Sequence, residues 1–507
     1  MSTAPAQALD SGRAAAGGVL AAACISTFVV NANTSAVTIL LPTMSEDTGA
    51  PVPQLQWAVT GYMLVGAAVI VTSGALGDVF GRRRVFLGGL ALFIASCVLI
   101  ALSTSGTGII VGRLIQGAAG STILACGMSL LSVASSGKGQ MRAITLWGAA
   151  SAAGAAMGPL IGGALVDLSG WQTLFWLDGA IAAACIPLTL AKVQESRDTQ
   201  RSSKIDFAGT VLIAVILAPL VLGFSKGGDW GWTSLATLGC FAVSAVGAVL
   251  FVLVEKRVSA PIVDLNLLRN QVVVGTTLAI VIVAGTLNGL MYVLSLYFQD
   301  PAGFGMSPLE TGVATLPAAA GLIAVTPLIT PLAARIGTRL AIVAGFAFGA
   351  LGFGVLALVE SSWTYAAFVL PLIVLAAGLG LANGPASSLS TSTAVVSQEQ
   401  VGQASGISNM ARYIGGSVVV ALVATIYNSV TVDETAAGAS AADALAAGVS
   451  RASLLMAILS GLGIALVLLI ARHQQPRPSA VDLAAAASGA MSHTIPTQPV
   501  SLSPERA

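Results

Sequence analysis

Residues Gly74 to Arg84 read G-A-L-G-D-V-F-G-R-R-R, and the stretch lies between two long apolar runs. One acid, Asp78, and three consecutive arginines, Arg82, Arg83 and Arg84, are confined to a turn too short to be a domain. Gly74, Gly77 and Gly81 let one backbone approach another closely. Arginines alone would serve to fix topology, since basic residues gather on the cytoplasmic side of a span. That leaves Asp78 and the glycine spacing unexplained. A tight charged hinge between two hydrophobic spans predicts a transporter gate rather than a loop of a soluble enzyme.

The rest of the chain is overwhelmingly apolar. Of 507 residues 56% are hydrophobic and 8% charged, against roughly 25% charged in soluble proteins. No soluble fold of this size covers its surface with so few charges, so the chain reads as an all-α polytopic membrane protein. A net charge of +1 gives no electrostatic basis for binding nucleic acid. Cys24, Cys97, Cys126, Cys185 and Cys240 fall inside apolar runs without metal-ligand spacing and read as packing residues. There is no Walker lysine loop, no G-x-S-x-G turn and no metal cluster, and both histidines, His473 and His493, lie in the C-terminal tail. Neither enzymatic activity nor a cofactor or metal is expected, and without an ATP site transport must draw on an ion gradient.

A helix needs about 20 apolar residues to cross a bilayer, and on that rule we count about fourteen spans. Their approximate limits are 16–41, 56–77, 85–103, 106–132, 142–166, 171–191, 206–226, 234–254, 272–298, 308–333, 338–360, 364–387, 403–427 and 451–471. The first run exceeds a signal-peptide core and is kept as a span. With the N-terminus inside, 18 of the 22 basic residues fall on the inner side, Lys226 and Arg451 outside, and Arg113 and Arg412 within spans. Both termini are therefore expected in the cytoplasm. Residues 1–15 form an inner tail and 473–507, rich in Pro, Ser and Ala, a disordered one. The outer stretch Thr431 to Ser450 is Ala-rich and holds either a short amphipathic helix or nothing ordered.

A weak internal repeat supports two halves. Between spans 10 and 11 the chain reads T-P-L-A-A-R-I-G-T-R-L, Thr330 to Leu340. Leu332 matches Leu76, Gly337 matches Gly81 and Arg339 matches Arg83 at a constant offset of 256, while Ala334 replaces Asp78. Parallel repeats mark secondary transporters built from homologous halves. The expected units are a six-helix bundle at 16–192, two additional helices with their linkers at 193–270, and a second six-helix bundle at 271–472.

With the spans in place, four motifs resemble the major facilitator superfamily, and in particular its fourteen-span drug:proton antiporter branch. The Gly74–Arg84 loop resembles the signature loop between helices 2 and 3. R-L-I-Q-G-A-A-G in span 4, with Arg113, Gln116, Gly117 and Gly120, is similar to the membrane arginine motif. G-A-A-M-G-P-L-I-G-G in span 5, with Gly154, Gly158, Pro159, Gly162 and Gly163, resembles the antiporter motif. Gly170, Trp171 and Phe175 resemble the start of helix 6 in this branch. The resemblance implies the major facilitator fold, two six-helix bundles plus two inserted helices, and a latch in which Asp78 bonds a helix N-terminus and a nearby arginine.

The candidate residues follow. Gly154, Gly158 and Gly162 share one helix face and allow close packing, and Pro159 can bend the helix. Arg113 lies seven residues into span 4, about 10 Å deep, and a buried arginine needs a partner. Asp178 lies at comparable depth in span 6; it either carries the coupling proton, or lies near an outer water-filled crevice or pairs structurally with Arg113. Asp300, Glu310 and Arg412 complete the coupling candidates. Many relatives carry an acid in helix 1 where this chain has Asn33. Asn31, Asn33, Gln116, Asn288 and Tyr292 are the candidates for the substrate cavity. The expected function is proton-coupled export of hydrophobic or amphipathic compounds, such as drugs and dyes, by a monomer in the cytoplasmic membrane. Its partners are the small-molecule substrate, protons and membrane lipid. The alternatives are an exporter or flippase of a lipid-like or natural-product substrate, and a non-transporting membrane sensor or scaffold.

Overall fold

The computed structural model describes residues 4–134, 137–197, 206–259, 261–390, 392, 395–396 and 400–470. The regular structure of these residues is helical. In chain order the α-helices are α1 (Ala4–Thr48), α2 (Val52–Leu55), α3 (Trp57–Phe80), α4 (Arg82–Ala101), α5 (Gly106–Ala134), α6 (Gly137–Ser169), α7 (Gln172–Lys192), α8 (Phe207–Trp230) and α9 (Leu235–Glu255). They continue with α10 (Gln271–Gln299), α11 (Pro308–Ala314), α12 (Leu316–Ile336), α13 (Thr338–Leu356), α14 (Tyr365–Ser390), α15 (Val401–Ala436) and α16 (Ala441–Ile470). Thirteen segments among the described residues are long and apolar enough to span a membrane. The tenth predicted span is built from two pieces, α11 and α12, separated by Thr315 and followed by Pro317. A proline at the start of α12 has no N–H to continue the preceding helix.

Helix α1 begins at Ala4, ahead of its apolar span from Gly17. One expectation further along the chain changes. Thr431 to Ser450 is not a loop with a separate short helix: α15 runs on to Ala436 and α16 starts at Ala441. The cause is local. Alanine is the strongest helix former, and Asp443 N donates to Ser440 Oγ at 3.1 Å, capping the new helix at its first turn. The tail at 473–507 lies outside the described residues.

Helices α1 and α3–α7 pack among themselves, as do α10 and α12–α16. Helices α8 and α9 form a hairpin whose first member touches both α3 and α15, so the inserted pair lies on the seam between the halves. The Thr72 and Thr210 hydroxyls join α8 to α3, and Thr425 Oγ1 donates to Phe224 O at 2.9 Å, joining it to α15.

The repeat read from the sequence has a structural counterpart. Gly81 breaks α3 from α4 at φ +113°, and Gly337 breaks α12 from α13 at φ +85°; both conformations favour glycine. Arg83 Nη2 then donates to Leu190 O at 2.8 Å, near the end of α7. Arg339 Nη2 donates to Leu468 O at 2.8 Å, near the end of α16. In each half the matched arginine ties the loop between the second and third helices to a terminal carbonyl of the last, where a cation is favoured by the helix dipole.

Candidate functional site

The signature loop places its charges around the start of α4. Asp78 Oδ1 accepts from Arg82 Nε at 3.0 Å and Nη2 at 2.9 Å across the Gly81 break. The N-terminus of α4 also meets a carboxylate from outside the loop. Glu195, from the charged linker after α7, accepts from the backbone N–H groups of Arg83 at 3.1 Å and Arg84 at 3.3 Å. Arg82 N donates to Ser196 O at 3.0 Å. The linker is thus bound onto the loop, and Glu195 satisfies N–H groups that a helix start leaves free. Sequence reading passed over Glu195 because a lone acid in a charged linker carries no pattern.

A second cluster lies about 10 Å along α5 from its start at Gly106. Arg113, Asn33 and Asp178 are 0%, 0% and 4% exposed, and they come from α5, α1 and α7. Arg113 Nη1 donates to Asn33 Oδ1 at 2.6 Å. Asn33 Nδ2 donates to Asp178 Oδ2 at 2.7 Å. One amide therefore joins cation and acid, its oxygen facing the guanidinium and its nitrogen the carboxyl. Nη1 also donates to Gln116 Oε1 at 2.6 Å, and Nε donates to Ala58 O at 2.9 Å. The guanidinium carbon sits 4.2 Å from the centre of the Tyr62 ring, a cation–π contact that is strongest where water is excluded. Asp178 is thus joined to Arg113 through one amide and enclosed within the helices.

Of the other polar candidates, Gln116 belongs to this cluster and the rest separate from it. Asn31 Nδ2 and Asn288 Nδ2 each donate to the carbonyl four residues earlier, Thr27 O and Ala284 O, both at 2.8 Å. Gln116 is fully buried and serves Arg113. Tyr292 is 0% exposed and packs in the core. Asp300 Oδ1 accepts from Ala302 N at 2.8 Å in the turn after α10. Glu310 Oε2 accepts from Ser307 N at 2.9 Å, completing a capping box at α11. Arg412 bonds Asn409 and Ser387.

Span 5 shows why its glycines are spaced as they are. A Cβ on Gly154 or Gly158 would run into the carbonyl oxygens of Phe28 and Ala32, and one on Gly162 would lie 2.8 Å from Ala36 Cβ. The three-glycine face is pressed against α1. Gly163 faces the other half instead: its Cβ would lie 2.8 Å from Leu309 Cα, while a Cβ on Gly312 would lie 2.6 Å from Pro159 O. Close by, Asp167 Oδ2 accepts from Ser307 Oγ at 2.8 Å and Leu309 N at 3.4 Å. Ser295 Oγ donates to Thr38 O at 2.8 Å, and Gln299 Nε2 to Ile39 O at 3.0 Å. These contacts join the halves at the face opposite Arg82–Arg84.

Two linked helical halves, a charged hinge and an enclosed acid–arginine cluster define a polytopic membrane transporter rather than an enzyme. The sequence profile of the Major Facilitator Superfamily matches residues 23–420, and the chain belongs to that superfamily. It is 32% identical over 413 residues to multidrug resistance protein Stp of Mycobacterium tuberculosis, covering 80% of this chain and 75% of that one. The tetracenomycin C resistance and export protein of Streptomyces glaucescens is 30% identical, with 81% and 76% covered. Among solved structures, a bacterial homologue of the human lysosomal transporter Spinster superposes with a TM-score of 0.64 at 14% identity, covering 90% of this chain and 97% of that one.

Proposed function

We propose that this chain exports hydrophobic or amphipathic drugs by alternating access in exchange for protons, and that Asp178 carries the coupling proton. The observation that carries the reading is the Arg113–Asn33–Asp178 connection, which holds one acid inside the helical bundle between three helices. Intramembrane acids held this way mark proton and ion pathways. Relatives named for multidrug resistance and for antibiotic resistance and export support the substrate class. The face bearing Arg82–Arg84 is cytoplasmic by the distribution of basic residues, with both termini on that side of the cytoplasmic membrane. The transporter acts as a monomer, each molecule carrying its own pair of halves.

In this cycle the closed face opposite Arg82–Arg84 is the outer gate, sealed by the α1–α10 and α6–α11 contacts. The Asp78–Arg82 pair and Glu195 hold the inner hinge. Dye transport in proteoliposomes under an imposed pH gradient tests the reading, with wild type beside Asp178→Asn. Flux should follow the gradient in the wild type and disappear in the variant. Wild-type flux that ignores the gradient would overturn the antiport reading. Gradient-driven flux that survives in the variant would move the proton to another acid.

A further inference from the structure

Arg412 differs from the other membrane-embedded arginine. It lies on α15, eleven residues from Val401 and so about 17 Å along the helix. Nη1 donates to Asn409 Oδ1 at 2.9 Å and Nη2 to Ser387 Oγ at 2.8 Å. Both acceptors are neutral. Among the described residues no acid forms an ion pair with it. Arg113, by contrast, has Asp178 one amide away and an aromatic face beneath it. Arg113 is fully enclosed, whereas Arg412 is partly exposed, as are Asn409 and Ser387 beside it. A guanidinium at this depth requires a partner, and only part of its capacity is used. Of five N–H donors on an arginine, two are engaged among the described residues. The two contacts fix the orientation of the planar group, and no other described residue takes up the rest of its fork.

We propose that Arg412 anchors the anionic head group of an amphipathic substrate: a carboxylate, phenolate or phosphate attached to an apolar body. A guanidinium binds such groups through parallel N–H···O bonds. Asn409 and Ser387 are its positioning residues. The site's role in transport rests on the export reading above, and it narrows that reading from amphipaths in general to those carrying a negative charge. A soluble organic acid and a lipid phosphate share the required chemistry.

The test uses the full chain in nanodiscs of neutral lipid and two probes of nearly identical shape, dansyl-leucine and its uncharged amide, dansyl-leucinamide. Fluorescence titration should show the acid bound roughly 10- to 100-fold more tightly than the amide, the range for a hydrogen bond to a charged group. Arg412→Met should abolish that preference while still binding the amide, and Arg412→Lys should retain part of it. Equal binding of acid and amide by the wild type overturns the proposal without any variant. So does a preference that survives in Arg412→Met. Displacement of dansyl-leucine by short-chain phosphatidylglycerol assigns the anion to a lipid head group, and its failure assigns it to soluble amphipaths. A binding preference without gradient-driven flux of dansyl-leucine in proteoliposomes would leave the anion site standing and sink the export reading. Flux of both probes at equal rates without a preference would do the reverse.

Discussion

Moving the carboxylate from position 178 to position 33 tests whether the cluster, and not one residue alone, holds the proton. Asp178→Asn preserves shape and an acceptor for Asn33 but removes the negative charge linked to Arg113. Carboxyl and guanidinium are joined through one amide by hydrogen bonds of 2.7 and 2.6 Å. Their charge centres are then roughly 8 Å apart, and at an effective dielectric of about 20 their attraction is about 2 kcal/mol. The variant should lose about that much stability, read by unfolding in detergent, together with gradient-driven dye flux. Adding Asn33→Asp places a carboxylate directly against Arg113 Nη1, with centres about 4 Å apart and a Coulomb attraction of about 4 kcal/mol before desolvation. The double variant should regain stability and recover gradient-driven flux in proteoliposomes. A folded double variant that remains uncoupled would refute the idea that the site tolerates its acid at either end of the amide. Unchanged flux in Asp178→Asn alone would remove the acid from the mechanism.

Three further outcomes follow from the contacts. Gly158→Leu must displace the backbone of α1 at Ala32; overpacking costs about 1–3 kcal/mol, and the loss should appear as a lower melting temperature and reduced folded yield. Asp167→Ala removes the acceptor for Ser307 Oγ and Leu309 N between the halves, so a membrane-impermeant maleimide should reach a cysteine placed at Leu309 faster; an unchanged labelling rate would deny the seal. Glu195→Ala strips the acceptor from the first N–H groups of α4 and should cost about 1 kcal/mol, the usual loss for a helix cap, with no melting shift counting against the linker's role.

Much of the fold was legible because its signals are long or repeated. A span is some twenty residues of apolar sequence, and an error in one boundary does not erase it. Gly81 and Gly337 could be matched by offset because the same backbone break recurs in both halves. The glycine face of span 5 was legible for a similar reason: four-residue spacing defines a face before the neighbour is known. That neighbour, α1, was not, since spacing says nothing of which helix lies opposite. Arg113 and Asp178 stood out by the cost of charge in a membrane, but Asn33 did not declare itself as the bridge. Its neighbours Asn31, Thr34 and Ser35 look equally polar, yet each turns back onto its own helix. Only the rotation of α1 against α5 and α7 separates them. Glu195 and Asp167 were missed because a single acid acquires meaning from a partner distant in sequence.

Helix α1 is the element through which the acid can act on the outer seal. Asn33 holds Arg113 and Asp178. Five and six residues further on, the carbonyls of Thr38 and Ile39 accept from Ser295 and Gln299 of the other half. At 1.5 Å per residue these points are about 8–9 Å apart. The glycines of α6 bear directly on α1 at Phe28, Ala32 and Ala36, so this part of the helix has little room to bend and a shift at Asn33 is transmitted along it. Neutralising Asp178 weakens the attraction on Asn33's side of the cluster. If half of the roughly 2 kcal/mol involved reaches the seal, the ratio of closed to open outer gate changes about fivefold. Asp178→Asn should therefore raise the labelling rate of Leu296→Cys by a maleimide added on the outer side about fivefold, the chain with only its native cysteines setting the background. Equal labelling of both backgrounds would mean that the proton site and the seal share a helix without sharing an equilibrium, and the coupling would then have to run through another element.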